Sequence, residues 1–259
     1  MLRQRGFVEE VQGAEARQLL RGKRIAIDVA FWAVQGDTTE YITKRCQHFL
    51  LTCFWRVCRY LRVGAFPIAV LDSPSTSASK CRQRQANGQF QYNINLIKEL
   101  FAAMGCPTIQ ANCEAEECCS KMARLGVTDV IESGDGDVFA FGASGILLKS
   151  VGGDGNGAWS LEVVDIDRVS KSIGFGQQGW IAIATLSGCD FFPSGMKGIG
   201  LEKAIQCVSA MVKHCESDLC LKQFIISTLE HGLPNELHAY ASLSGCKTSI
   251  MACSGVAVL

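Results

Sequence analysis

Three short apolar runs in this chain lead directly into acids. They are Lys23-Arg-Ile-Ala-Ile-Asp28, Phe66-Pro-Ile-Ala-Val-Leu-Asp72, and Thr128-Asp-Val-Ile-Glu132, the last followed by Ser-Gly-Asp135-Gly-Asp137. A fourth acidic cluster, Glu114-Ala-Glu116-Glu117, opens an amphipathic stretch. A carboxylate at the buried end of a strand costs several kcal/mol unless it is paired or bound to a metal. Acids arriving from several strand ends therefore need a cation between them.

Spacing alone does not make these acids special. Among 11 Asp, a second Asp-x-Asp pair occurs at Asp165 and Asp167, near an expected helix start where Asp is an ordinary N-cap. The pair Asp135-Gly-Asp137 differs because it follows a strand-like run. Glu114 and Glu116 sit at a helix start, where a carboxylate is favoured by the helix dipole in any case. The spacing of an EF-hand loop is missing. Gly174-Phe-Gly176-Gln-Gln-Gly179 matches the dinucleotide fingerprint letter for letter, but it follows a predicted helix instead of a strand.

The elements that must carry these acids alternate. Strand-like runs at 23–29, 66–72, 107–111 and 128–132 are separated by helical stretches at 38–63, 90–104 and 114–125. A hairpin, 146–148 with 160–164, surrounds the Gly-rich segment 151–157, and helices are expected at 177–187, 200–214 and 218–230. Arg56, Arg59 and Arg62 recur on one stripe of the first long helix, which reads as a solvated face. Such alternation predicts an α/β fold with a mostly parallel sheet between helices, and ligands gather beyond the C-terminal strand ends of such sheets.

Composition agrees with a folded chain. The 259 residues are 48% hydrophobic and 19% charged, and no stretch approaches the ~18 apolar residues a membrane helix needs. The N-terminus lacks the apolar core of a signal peptide, so the 14 Cys are expected as reduced thiols in an intracellular protein. The net charge of zero conceals an asymmetry: residues 1–110 carry +7 and residues 111–259 carry −7.

Taken in order, these segments resemble the structure-specific nucleases of the flap endonuclease/XPG family over roughly residues 20–215, closest to its GEN-like branch, which includes the plant single-strand-DNA endonucleases. Asp28 in Ile-Ala-Ile-Asp-Val-Ala-Phe-Trp and Asp72 in Ala-Val-Leu-Asp resemble the family's first two metal-site acids, with Ser73 where Gly is usual. Glu114 and Glu116 match the Glu-Ala-Glu-Ala helix start, and Asp135 and Asp137 the Asp-x-Asp pair. Asp190 in Leu-Ser-Gly-Cys-Asp-Phe matches the final acid. The run Gly195-Met-Lys-Gly198-Ile-Gly200-Leu-Glu-Lys203 resembles the family's helix–two-turn–helix, where a Gly-Ile-Gly turn meets duplex phosphates.

The resemblance implies a PIN-like nuclease core over 1–192, a helix–two-turn–helix DNA-binding subdomain over 193–232, and a tail over 233–259 expected to be poorly ordered. It implies two Mg²⁺ ions, replaceable by Mn²⁺, held by the seven acids, with K⁺ at the Gly198–Gly200 turn. Lys80 and Arg84 are the basic residues expected to grip the scissile phosphate, and Gly198, Gly200 and Lys203 the duplex. The implied partners are branched or flapped DNA, with a homodimer on four-way junctions and no membrane; the implied location is the nucleus. Setting the seven acids aside leaves 18 acids against 25 bases, which suits a polyanionic substrate. Asp72 and Glu114 are only 42 positions apart, so the intervening arch is short and junctions or bubbles are favoured over threading of a free 5′ end. Two readings stand beside the active nuclease: a catalytically impaired or truncated junction-binding relative, and a PIN-type ribonuclease.

Overall fold

Five of the seven strands run parallel because helices return the chain to the same end of the sheet each time. The computed structural model describes residues 2, 3, 5–34, 46–73, 88–152, 159–189, 193–214 and 223. In chain order these form β1 (Glu9–Gln12), α1 (Gly13–Leu20), β2 (Arg24–Asp28), α2 (29–34), α3 (Cys46–Arg62), β3 (Phe66–Leu71), α4 (Gly88–Ala103), β4 (Thr108–Gln110), α5 (Ala115–Arg124), β5 (Val130–Glu132), β6 (Ile146–Gly152), β7 (Ser160–Asp165), α6 (Ile166–Ile173), α7 (Gln177–Ser187) and α8 (Leu201–His214). The mixed α/β architecture expected from the sequence is the one observed. The helix anticipated at 218–230 and the tail beyond it lie outside the described residues.

The sheet order is β1-β7-β6-β5-β2-β3-β4. Strands β4, β3, β2, β5 and β6 are mutually parallel, whereas β7 returns antiparallel to β6 and β1 adds antiparallel to β7. From β2 the chain first moves outward to β3 and β4, then crosses back to β5 on the other side of β2. That reversal makes the C-terminal ends of β2 and β5 the topological switch point, where a crevice opens in an open parallel sheet.

Alternation along the central strands divides the core. Ile25, Ile27, Ala69, Leu71, Val130 and Leu148 bury one face against Leu20 of α1, Trp32 of α2, Val57 and Tyr60 of α3, and Ile97 and Phe101 of α4. The buried positions of α3 (Phe49, Cys53, Val57, Tyr60) repeat at helical spacing, as do Asn93, Ile97 and Phe101 of α4. The opposite face, with Ala26, Val70 and Ile131, is the side to which Asp28 also belongs by the two-residue period. α5 packs on β2, β3 and β5.

The described chain divides into two compact units, Leu2–Val169 and Ser170 onward, with the division inside α6. Within the second unit, α7 and α8 are joined by the loop that carries the Gly-Ile-Gly turn. No described helix is long and apolar enough to cross a membrane.

Candidate functional site

Four of the candidate acids stand at three strand ends. Asp28 closes β2 and is 2% exposed. Its Oδ1 accepts the backbone N–H groups of Ala30 (2.9 Å) and Phe31 (3.3 Å), so the acid also starts helix α2. Its Oδ2 accepts the hydroxyl of Ser133 at 3.1 Å, across the switch point from β5. The Ser133 oxygen in turn accepts the N–H of Asp135 at 3.2 Å, and Asp135 Oδ1 accepts the N–H of Asp137 at 3.0 Å. A Cβ on the intervening Gly134 would sit 2.4 Å from the Phe31 ring, so this loop lies close against α2.

Asp72, just past β3, directs Oδ1 to the N–H of Ala115 at 2.8 Å and thereby caps α5 from another strand. Glu114 is the N-cap residue of that helix and Glu116 lies in its first turn, both buried. Beneath them, the fully buried thiol of Cys119 is pushed well up, first by burial and then by the charges of Asp28, Glu116 and Asp72. One buried group thus senses acids from β2, β3 and α5 together.

The electrostatics of Asp28 define what is missing from the protein alone. Its pKa is pushed up to about 7, chiefly by burial and next by the Asp72 charge, against the lowering effect of its three hydrogen-bond donors. None of those neighbours is a cation. Its mirror image lies one strand away. Glu132 pairs in register with Ile27, is 0% exposed, and faces the α1–α4 side. Here the chain supplies the counter-charge: Trp32 Nε1 donates at 2.9 Å, Tyr60 OH at 2.6 Å, and Arg56 Nη1 stands 3.7 Å away. The Arg56 guanidinium also lies 4.9 Å over the Trp32 ring and donates to the Val151 carbonyl at 3.1 Å. Arg56 is therefore not part of a solvated stripe with Arg59 and Arg62, as its spacing had implied. It is drawn inward by the buried Glu132 on the sheet beneath its helix.

Two groups near the site escaped sequence reasoning. Glu132 closes the expected strand 128–132, and Lys149 falls just past the expected strand 146–148; neither carries a functional motif in the sequence. Lys149 occupies a β-bulge between the pairs Leu148–Val163 and Ser150–Glu162. A bulge turns an extra side chain out of the normal alternation. The half-buried amine is lowered in pKa by burial, against the opposing charges of Asp135 and Glu162. The signal that could have found it is the basic residue directly after the apolar run Ile146-Leu-Leu148, on the strand neighbouring β5.

The other candidates divide plainly. Asp190, Lys80 and Arg84 lie outside the described residues. Asp165 and Asp167 behave as the helix-start pair they were expected to be: Asp165 Oδ1 accepts the N–H of Arg168 at 2.8 Å, and Asp167 Oδ2 that of Gly145 at 3.0 Å. The fingerprint-like Gly174–Gly179 joins two helices and follows no strand. In the second unit, Met196 N–H donates to Leu186 O at 2.8 Å, and a Cβ at Gly195 would meet the Gly188 nitrogen at 2.6 Å, so only glycine lets the loop close on the end of α7. Gly198 has φ +82°, and Lys203 Nζ reaches back to its carbonyl at 3.3 Å. Gly200 is exposed, with open space where a Cβ would stand.

The donor chemistry suits a hard divalent cation: the donors are oxygens, and none of the groups acting on the buried Asp28 carboxyl is a cation. The side chains are not closed around an ion. Among the described residues, no three Asp, Glu, His or Cys side chains stand together as an ion's coordination shell. Asp28, Asp72 and Asp135 instead direct oxygens to nearby backbone N–H groups.

A parallel sheet with carboxylates massed at its switch point, followed by a glycine-turned helical hairpin, defines a PIN-like nuclease fold. The comparisons agree. Residues 105–190 match the XPG I-region model. "Flap endonuclease GEN-like 1" of Arabidopsis thaliana is 30% identical over 212 residues, covering 73% of this chain and 35% of that protein. "Flap endonuclease GEN" of Drosophila melanogaster is 26% identical over 219 residues, covering 72% and 30%. Human GEN1 in complex with Holliday junction DNA shares the fold at a TM-score of 0.67 with 17% identity, over 91% of this chain and 64% of that one. The catalytic core of Rad2 with a DNA substrate does so at 0.62 with 23% identity, over 91% and 83%. The chain belongs to the flap endonuclease/XPG family, with relatives in its GEN-like branch, and spans about a third of the length of the curated relatives it matches.

Proposed function

We propose that this chain is the nuclease core of a structure-specific DNA endonuclease, hydrolysing phosphodiester bonds at flaps, bubbles or four-way junctions in DNA repair and recombination. The observation that carries the reading is the Asp28–Ser133–Asp135 chain of hydrogen bonds at the switch point, with Asp72 beside it and no cation among Asp28's neighbours. The relatives' names, and a related structure described as a Holliday junction-resolving enzyme with product DNA and Mg²⁺, support the same substrate class.

Asp28, Asp72, Glu114 and Glu116 would hold one metal and Asp135, Asp137 and Asp190 a second, with Glu116 available to both. Two Mg²⁺ ions, or Mn²⁺ in their place, would supply Lewis acidity for an attacking water and for the departing oxygen. The chain's own part is to fix the acids. Ser133 locks Asp28 to the Asp135 loop, Asp72 and Glu114 share the start of α5, and Gly134 lets the loop pass Phe31. Burial excludes water around Asp28, which strengthens every charge interaction there. Lys80 and Arg84 are assigned to the scissile phosphate. Gly198, Gly200 and Lys203, with K⁺ at the turn, are assigned to the duplex in a DNA-binding segment over 193–232 that follows the core over 1–192. We place the protein in the nucleus, acting as a homodimer on four-way junctions.

A second reading, a junction-binding relative that no longer cuts, is favoured by one observation: no three donors among the described residues converge on a point. Incision of labelled 5′-flap, bubble and four-way-junction DNA in Mg²⁺, with Ca²⁺ as the control, separates the two. Cutting near the branch in Mg²⁺ alone supports the enzyme. Binding without cutting supports the second reading.

A further inference from the structure

Arg17, Arg21 and Arg62 converge on one groove although they come from two different helices. The groove, of about 790 Å³, is also lined by Gln18 and floored by Gly64. Its walls meet because two helix-to-strand turns are hydrogen-bonded side by side. Lys23 N–H closes on the Leu20 carbonyl at the end of α1, Phe66 N–H donates to Lys23 O at 2.8 Å, and Gly64 N–H closes on Leu61 O at the end of α3. All three arginines are exposed.

Their pairing sets them apart. Arg3, Arg24, Arg56 and Arg168 each face an acid. Among the described residues the side chains of Arg17, Arg21 and Arg62 make no hydrogen bond or ion pair, and no acid lines the groove. Three guanidinium forks around an open concavity, with a glutamine amide beside them, form a receptor for oxyanions, since the planar fork matches phosphate geometry two bonds at a time. The groove adjoins the N-terminal ends of β2 and β3, whereas the carboxylates stand at their C-terminal ends. Five residues of β2 at about 3.3 Å each separate the two by roughly 16 Å.

We infer that the Arg17–Arg21–Arg62 groove is a second phosphate-binding site, taking the sugar–phosphate backbone of a nucleic-acid arm other than the one presented to the carboxylates. The choice of nucleic acid as the polyanion rests on the proposed function; the phosphate chemistry of the groove does not. A branched substrate offers a second arm for such a site. The +7 balance of residues 1–110 draws any such arm toward this half of the chain.

The test uses the full chain in Ca²⁺, so that binding is read without cutting. Arginine-directed phenylglyoxal labelling, read by mass spectrometry, is compared with and without four-way-junction DNA. Fluorescence anisotropy then compares wild type with the Arg17→Ala/Arg21→Ala/Arg62→Ala variant over a KCl series. The expected results are protection of all three arginines by the junction and a salt slope reduced by about 2.7 in the variant, at about 0.9 per phosphate contact. An Arg→Lys triple variant restores most of that slope, because charge is kept while the fork is lost.

Two results overturn the inference. One is equal labelling with and without DNA together with an unchanged salt slope. The other is a lowered melting temperature with unchanged DNA binding, which would leave the arginines as partners of the two helix C-termini only. Neither bears on whether the protein cuts DNA, since no readout depends on incision.

Discussion

The Ser133 hydroxyl donates to Asp28 Oδ2 at 3.1 Å while its oxygen accepts the N–H of Asp135, so one side chain joins the ends of β2 and β5. The two strands are paired in parallel, and the acids they present are spaced by this bridge instead of by direct contact. Ser133→Ala removes the donor from a buried carboxylate, at a cost of about 1–3 kcal/mol. Urea denaturation is expected to show that loss, and Mg²⁺-dependent incision is expected to fall with it. Unchanged stability would mean that Asp28 does not need the bridge.

The raised pKa of Asp28 gives the metal-free protein a definite pH dependence. The group titrates near 7 when folded and near 3.8 when unfolded, so the native state holds the extra proton between those values. Stability from this group is fully present below about 4 and is lost as pH rises through 7. Thermal melts in EDTA are expected to be higher at pH 5 than at pH 8, and Asp28→Asn is expected to flatten that difference. A wild-type melt that rises with pH over this range contradicts the assignment.

Glu132 is held by its partners and not by a metal. Glu132→Leu leaves the Arg56 guanidinium, 13% exposed, without its counter-charge and the Tyr60 hydroxyl without its acceptor, and is expected to cost about 3–5 kcal/mol. Replacing both charges, as in Glu132→Leu with Arg56→Met, is expected to recover most of it. The double variant should unfold later in urea than the single one. If the two behave alike, the pair is not coupled.

Lys149 is expected to tune Asp135 from the neighbouring strand. Lys149→Met should leave the melting temperature close to wild type and lower incision by about 10–100-fold, the range seen when partners of metal ligands are removed. Lys149→Arg should rescue it. Equal activity in all three would make the bulge a packing feature only.

Much of this arrangement was legible beforehand because strand ends and helix starts have local signatures. Asp28 follows a three-residue apolar run and Asp72 a six-residue one, and Glu114 precedes a helix with buried Cys119 and Met122 at the expected spacing. The parallel sheet followed from alternation. What could not be read depends on pairing between distant elements. Strand β1 exists only because Glu9–Gln12 finds β7, some 150 residues later. Arg56 lies on a helix face that looks solvated until Glu132 arrives beneath it, and Lys149 is set apart only by a bulge that its antiparallel partner creates. Likewise, Arg17, Arg21 and Arg62 belong to one groove only after two turns are bonded together.

The most direct test of the central claim is single-turnover incision of a labelled four-way junction across a Mg²⁺ titration, comparing wild type with Asp135→Asn at matched DNA binding. The account predicts Mg²⁺-dependent incision near the branch by the wild type and at least a thousandfold less by the variant, about the 4 kcal/mol of transition-state stabilisation a lost metal would forfeit. Wild-type rates from Asp135→Asn, with binding and fold intact, would contradict the assignment of these acids to catalysis.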